Sequence, residues 1–159
     1  MRYLNKIVFI NSAAIRYSEV QLDGNIHLIG TQGVGKSTIL RAILFFYNAD
    51  TQRLGIPVEK KSYQDYYFPY ADSSIIYEVA REDGWFTVLS YKTMNRICYR
   101  FIASPYRPDL FIDEEGAPYP SDRIRSVLDK NGIKYSGAIS TYEEYRNILY
   151  GNSDNKRDY

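Results

Sequence analysis

The sequence predicts a mixed α/β fold organised around one glycine-rich loop, and three observations lead to this prediction. Residues 30–37 match the phosphate-loop pattern G-x-x-x-x-G-K-[ST] at every fixed position. The segment that follows, residues 38–47, is largely apolar and contains neither glycine nor proline. Strand-like segments with turn residues between them occupy much of the remaining chain. The predicted class is a P-loop NTPase lobe with an N-terminal antiparallel β segment, a buried helix after the loop, β-hairpins and two short C-terminal helices.

The glycine-rich loop has the residue types that phosphate binding requires. Its residues are Gly30, Thr31, Gln32, Gly33, Val34, Gly35, Lys36, Ser37 and Thr38. The glycines let the backbone approach a ligand, so that successive N–H groups can surround phosphate oxygens. Lys36 would reach the β- and γ-phosphates, and the hydroxyl of Ser37 would ligate Mg²⁺. A glycine-rich turn without a ligand is the alternative, and the flanking segments favour the phosphate loop.

Both flanks of the loop have the expected character. Segments 3–10 and 14–22 are rich in β-branched and aromatic residues and predict two strands. A turn at Asp23-Gly24 leads into the short apolar run 25–29, which we predict to be the strand before the loop. The helix over 38–47 has almost no polar side, so we expect it to be buried on nearly all sides.

The second half of the chain predicts antiparallel hairpins. Segment 59–70 mixes basic and aromatic residues; a packed surface loop is favoured there over a surface that stacks nucleic-acid bases. Three strand-like runs follow at 74–80, 85–91 and 95–103, and Asp83-Gly84 joins the first two as a hairpin. Consecutive hairpins imply antiparallel pairing.

Two short helices end the predicted lobe. Ser121 is a candidate N-cap for the first, which would stop at Gly132. The second would begin at a capping box formed by Ser140 and Glu143. We assign residues 1–151 to one domain and residues 152–159 to a polar tail, either disordered or the start of a further region.

Composition gives no positive sign of a nucleic-acid-binding, membrane or secreted protein, although a local basic patch stays possible. The 159 residues carry a net charge of +1, which gives no overall electrostatic signature for nucleic acid or an anionic membrane. No apolar run is long enough to span a membrane, and the N-terminus does not resemble a signal peptide, so a cytoplasmic protein is expected. The single cysteine, Cys98, is expected to fill the core.

The order of strands, phosphate loop, apolar helix and hairpins resembles the N-terminal lobe of the ABC-type ATPase heads of SMC, RecF, SbcC and MukB-like proteins. Residues 7–12, the loop and residues 37–43 carry most of this resemblance, with Gln32 where the family often has Asn. A weaker similarity at 142–151 indicates the MukB-like plasmid-defence branch. The resemblance implies that ATP and Mg²⁺ are the cofactors. It also implies that a C-terminal lobe and a second head complete the site in a homodimer, and that DNA is a possible partner.

The resemblance also implies a Walker B carboxylate pair, a signature segment and a switch histidine. Asp113 and Glu114, after the apolar residues 110–112, are the Walker B candidates, and a turn at the end of a strand is the favoured alternative. Segment 135–138 is a poor match to a signature. The only histidine, His27, precedes the loop and does not fit the late switch position.

Two further residues are assigned by the resemblance alone. Gln64 would be a glutamine that contacts Mg²⁺, and Arg53 would reach phosphate or DNA; a solvated loop residue is the favoured alternative for each. Without the missing parts, we expect the isolated chain to bind nucleotide weakly or not at all and to hydrolyse little. A self-contained small P-loop NTPase or kinase that uses Asp113 and Glu114 is the alternative function. A nucleotide-gated binding module that never hydrolyses is a third.

Overall fold

The computed structural model describes residues 3–22, 35–48, 63–94 and 96–149. Its strands are β1 (Tyr3–Ser12), β2 (Ile15–Gln21), β3 (Ser74–Arg81), β4 (Gly84–Thr93) and β5 (Arg96–Ile102). Its helices are α1 (Lys36–Asn48), α2 (Tyr63–Tyr67), α3 (Ser121–Lys130) and α4 (Tyr142–Leu149), with a 3₁₀ turn at Pro108–Leu110. The strands and the three longer helices lie close to their predicted positions.

The five strands form one sheet in the order β2-β1-β3-β4-β5, and every neighbouring pair is antiparallel. The predicted P-loop NTPase lobe is therefore wrong, because such a lobe is built on parallel strands and the described strands contain none. The turn at Glu82-Asp83 joins β3 directly to β4, and a connection this short can only produce antiparallel neighbours. The hairpins predicted over 74–103 are confirmed. The predicted strand 25–29 lies outside the described residues.

Apolar side chains cover both faces of the sheet. On one face, Ile7 and Phe9 of β1 join a cluster that includes buried residues of α1, α2 and α4. On the other face, Val8 and Ile10 join a cluster that includes residues of the 3₁₀ turn and α3. We call these the α1 side and the α3 side of the sheet. Because both faces are covered, β3 is buried along nearly its whole length and shows little alternation between apolar and polar residues.

Helix α1 is buried on one side only, which corrects the expectation that it is buried on nearly all sides. Its buried residues are Ile39, Ala42, Ile43, Phe45 and Phe46. Leu40, Leu44 and Tyr47 are each exposed to about two fifths, at 43%, 39% and 39%. These three residues recur at the helical spacing of three to four and lie along a single stripe. The helix therefore forms an outer layer on the sheet.

The start of each C-terminal helix differs from its prediction by one residue. The N-cap of α3 is Pro120, which provides no side-chain hydrogen bond, and Ser121 is the first helical residue. Helix α4 is capped by Thr141, whose Oγ1 accepts the N–H of Glu144 at 3.3 Å, in place of Ser140. Adjacent hydroxyl residues compete for the same role at a helix start, and sequence spacing alone does not distinguish them.

A buried carboxylate joins β1, β3 and the loop after β5. The pairing of β1 with β3 shifts register between Leu4 and Lys6, so Asn5 occupies a bulge. Asn5 Nδ2 donates to Glu78 Oε1 at 2.7 Å, and the backbone N–H of Tyr106 donates to Glu78 Oε2 at 2.7 Å. Glu78 is only 6% exposed, so these two donors replace the water that its carboxylate loses on folding.

Candidate functional site

The first turn of α1 contains the last residues of the glycine-rich loop. The helix begins at Lys36, and the N–H of Ile39 donates to the carbonyl of Gly35 at 3.2 Å. Gly35 and Ser37 are exposed, and Thr38 is half-buried. The first N–H groups of an α-helix have no partner within the helix and carry its positive dipole end. This turn can therefore bind an anion.

Packing does not explain the glycine at position 35. A Cβ atom built there would meet, among the described residues, only Oγ1 of Thr38 at 3.9 Å, an ordinary van der Waals distance. The φ angle of Gly35 lies outside the left-handed region that favours glycine. What glycine does provide is backbone that a ligand can approach without meeting a side chain.

Helix α2 contacts this first turn through two tyrosines. The hydroxyl of Tyr67 donates to the backbone carbonyl of Thr38 at 2.7 Å, and the hydroxyls of Tyr66 and Thr38 lie 3.4 Å apart. Burial raises the pKa of the Tyr67 phenol, with a further contribution from Tyr66, so the hydroxyl stays protonated and available as a donor. Gln64 is half-buried on the same five-residue helix. The fold thus brings the element that carries Gln64 to the end of the glycine-rich loop.

Tyr67 is one of three buried tyrosines that donate to backbone carbonyls of α1. Tyr77 of β3 donates to the carbonyl of Ala42 at 3.0 Å, and Tyr145 of α4 donates to the carbonyl of Phe46. The acceptors Thr38, Ala42 and Phe46 are spaced by four residues and follow one side of the helix. We call Tyr67, Tyr77 and Tyr145 the tyrosine row. It fixes α1 against α2, β3 and α4 along its whole length.

Asp113 and Glu114 lie on the other side of the sheet. Leu110 and Phe111, which precede them, are buried in the cluster on the α3 side. Asp113 belongs to a turn: its Oδ1 accepts the N–H groups of Glu115 and Ala117, both at 2.9 Å. Glu114 is exposed. These carboxylates are therefore separated by the sheet from the turn that contains Ser37.

An open groove of about 710 Å³ adjoins the turn that contains Asp113 and lies between β2 and residues 108–119. Arg16 and Tyr17 form one wall, while Asp109, Asp113 and Tyr119 are among the residues of the other. The Tyr17 hydroxyl donates to Glu19 at 2.9 Å and lies 2.8 Å from the hydroxyl of Tyr106. Arg16 and Tyr17 were not predicted as site residues, since nothing in the sequence indicates that β2 faces this loop.

A family model described as a protein of unknown function (DUF3584) matches residues 11–157. The chain belongs to the DUF3584 family. This family is associated with RecF-, RecN- and SMC-like proteins, which agrees at that coarse level with the resemblance in the sequence. No curated protein and no solved structure matches the chain.

Several residues of this DUF3584 chain that the sequence analysis considered for the site lie outside the described residues. They are Gly30, Thr31, Gln32, Gly33, Val34, Arg53 and His27. The described part of the candidate site is therefore Gly35, the start of α1, and Tyr66 and Tyr67 of α2. Tyr66 and Tyr67 fall in the segment that was predicted as a surface loop. A helix of only five residues is too short to produce a readable apolar period, so the sequence did not reveal the contact.

Two other sequence assignments of the DUF3584 chain have structural roles. Cys98 is buried in the cluster on the α3 side, as expected for a core residue, and burial raises the pKa of its thiol. Segment 135–138 runs along β5: the N–H of Ser136 donates to the carbonyl of Phe101, and Ser136 Oγ accepts the N–H of Phe101. Its backbone covers the edge of the sheet through Ser136, while Gly137 and Ala138 are exposed.

Within the described ranges, no three His, Cys, Asp or Glu side chains are grouped so that they could hold a metal ion. The candidate Mg²⁺ ligand, the Ser37 hydroxyl, would instead need oxygens from a bound phosphate, which is how nucleotide sites usually hold this ion. None of the described helices is both long and apolar enough to cross a membrane.

Proposed function

We propose that this chain binds a nucleoside triphosphate with Mg²⁺ at residues 30–38, as the nucleotide-binding part of an SMC/RecF-like ATPase. The observation that carries this proposal is that α1 begins at Lys36, the lysine of the phosphate-loop pattern, with exposed residues on either side of it. A helix start at this point of the pattern is what phosphate binding requires. The proposal rests on these residues and does not require a parallel sheet.

Each described residue of the first turn has a distinct role in the proposed site. The N–H groups at the start of α1 would donate to phosphate oxygens, and Gly35 would leave room for those oxygens to approach the backbone. Lys36 would neutralise the charge of the β- and γ-phosphates. Ser37 would contribute its hydroxyl to the Mg²⁺ shell. Mg²⁺ itself would screen the phosphate charge when bound.

Hydrolysis is proposed to depend on residues from a further lobe and a second head. Asp113 is held in a turn on the α3 side, across the sheet from α1, so it is poorly situated to polarise an attacking water at Lys36. This argues against the self-contained NTPase that would use Asp113 and Glu114. The resemblance to the SMC/RecF group is the basis for three further parts of the proposal. These are adenine as the base of the nucleotide, the assembly of two heads and an association with DNA.

The proposal is tested by isothermal titration of MgATP and MgGTP into the purified chain. Replacing Lys36→Ala removes a charge-assisted contact with phosphate, so we expect at least a tenfold weaker binding, about 1.4 kcal/mol. Lys130→Ala, at an exposed position on α3, is the matched control and should leave the dissociation constant unchanged. Equal affinity of the wild type and Lys36→Ala, or no binding by either, would overturn the proposal.

A further inference from the structure

We infer that Tyr67 is a positioning residue for nucleotide: its hydroxyl holds the first turn of α1 in the conformation that binds phosphate. This inference rests on the proposed function and adds to it a residue outside the glycine-rich loop. The contact that carries it is the 2.7 Å hydrogen bond from the Tyr67 hydroxyl to the carbonyl of Thr38. Thr38 is also the last residue of the loop.

The first turn is the part of α1 that most needs external support. Its N–H groups have no acceptors within the helix, and helix ends fray for this reason. A frayed turn would have to become ordered when phosphate binds, and that ordering would weaken affinity. Tyr67 is fully buried, so its ring is fixed by packing and its hydroxyl is held at the Thr38 carbonyl in advance.

Tyr66 contacts the side chain of Thr38, whereas Tyr67 contacts its backbone. Its hydroxyl lies 3.4 Å from Thr38 Oγ1, and its ring packs edge-on against the ring of Tyr67 with centroids 4.9 Å apart. The two tyrosines therefore restrain both the backbone and the hydroxyl of Thr38. The 3.4 Å contact is long for a hydrogen bond, so Tyr66 has the smaller role.

The tyrosine row supplies a matched control within the same helix. Tyr77 is also fully buried and also donates to an α1 carbonyl, at Ala42, one turn further along. Loss of either hydroxyl removes the same kind of hydrogen bond from the same helix. Only the loss of the Tyr67 hydroxyl releases the turn that would bind phosphate.

The experiment measures the dissociation constant for MgATP and the melting temperature in parallel. We expect Tyr67→Phe to weaken MgATP binding about 3- to 10-fold, the range that one hydrogen bond supplies, and Tyr77→Phe to weaken it less than about twofold. Both variants should lose similar thermal stability. Hydrogen exchange of residues 36–42 without nucleotide should increase in Tyr67→Phe and stay near the wild-type rate in Tyr77→Phe.

Three outcomes would overturn the inference, and they differ from one another. Equal weakening by Tyr67→Phe and Tyr77→Phe would mean that both tyrosines act only through stability. Unchanged affinity in Tyr67→Phe would mean that the first turn needs no support. If the wild type itself does not bind MgATP, the proposed function fails and this inference fails with it. Should Tyr67→Phe not fold, Tyr66→Phe tests the same turn from its half-buried position, and about twofold weaker binding is expected.

Discussion

The hydroxyl of Tyr145 donates a hydrogen bond to the backbone carbonyl of Phe46, a residue 99 positions earlier in the chain. Tyr145 is fully buried, and its ring packs against Tyr99 with centroids 4.2 Å apart. This contact ties α4 to the end of α1 opposite to Lys36. It belongs to the tyrosine row, which gives a structural role to part of the unusually high tyrosine content of the chain.

Replacing Tyr145→Phe keeps the buried ring and removes only the hydroxyl. We expect the free energy of unfolding to fall by about 1 kcal/mol, the usual contribution of one hydrogen bond. In a protein of this size, that corresponds to a melting temperature lower by about 2–4 °C. Tyr70→Phe, at a position that is 62% exposed, is the control and should melt with the wild type. A wild-type melting temperature in Tyr145→Phe would show that the hydroxyl contributes nothing.

The buried Glu78 predicts a large effect from a nearly isosteric change. Both of its carboxylate oxygens accept hydrogen bonds, from Asn5 and from the N–H of Tyr106. Glu78→Gln places an NH₂ group against one of these donors. We therefore expect the free energy of unfolding, measured in urea, to fall by about 1–3 kcal/mol. The exposed change Glu114→Gln serves as the control. Equal stability of the two variants would contradict the assigned role of Glu78.

Gly35→Ala separates ligand binding from folding. A methyl group at this position has space in the fold, so we expect unfolding free energy to change by less than about 1 kcal/mol, the difference between glycine and alanine at a helix start. MgATP affinity should nevertheless fall at least about tenfold, because the methyl group would occupy space beside the phosphate-binding N–H groups. Titration and thermal melting of the same sample measure both effects. Retained affinity would mean that phosphate does not approach Gly35.

Neither Asp113 nor Glu114 is expected to affect nucleotide binding. Glu114→Gln should leave the MgATP dissociation constant and any residual ATP turnover unchanged, since the sheet separates Glu114 from α1. Asp113→Ala should lower stability by about 1 kcal/mol, because Asp113 Oδ1 accepts two backbone N–H groups of its turn. Turnover that is lost in Glu114→Gln would instead support a self-contained NTPase.

The raised pKa of Tyr17 leads us to expect that the free energy of unfolding falls at high pH. Burial, with further contributions from Glu19, raises the pKa of Tyr17 to about 12, from an ordinary value near 10. The folded state therefore keeps a proton that the unfolded state releases, so the stabilising contribution is complete below pH 10 and is lost as the pH rises from 10 to 12. Urea unfolding across this range should show a shallower pH dependence in Tyr17→Phe than in the wild type. An unchanged slope would mean that Tyr17 titrates alike in both states.

Much of the local structure could be predicted from the sequence because local chemistry determines it. β-branched and aromatic runs bounded by turn residues identified β1 to β5, and Asp83-Gly84 identified the β3–β4 hairpin. The apolar run after the loop identified α1. Both helix caps differ from their predictions by one residue: the N-cap of α3 is Pro120, which makes no side-chain hydrogen bond, and Thr141 caps α4 in place of its neighbour Ser140.

The glycine-rich loop led the fold prediction to a P-loop NTPase lobe, a fold built on parallel strands, and the described strands are antiparallel throughout. A phosphate-loop pattern constrains the backbone over a few residues and the helix after it. It carries no information on how distant strands pair, because pairing depends on burial across the whole sheet and on the lengths of the connections.

By itself, the sequence determined where the five described strands and the three longer helices lie, and that one of these helices follows a phosphate-loop pattern. Those features follow from side-chain periodicity and backbone preferences, which act over neighbouring residues. Only the tertiary structure decided that Tyr67 reaches Thr38 and that Asp113 lies across the sheet from α1. Contacts of this kind depend on how helices pack on the two faces of the sheet, and the burial of whole elements sets that packing.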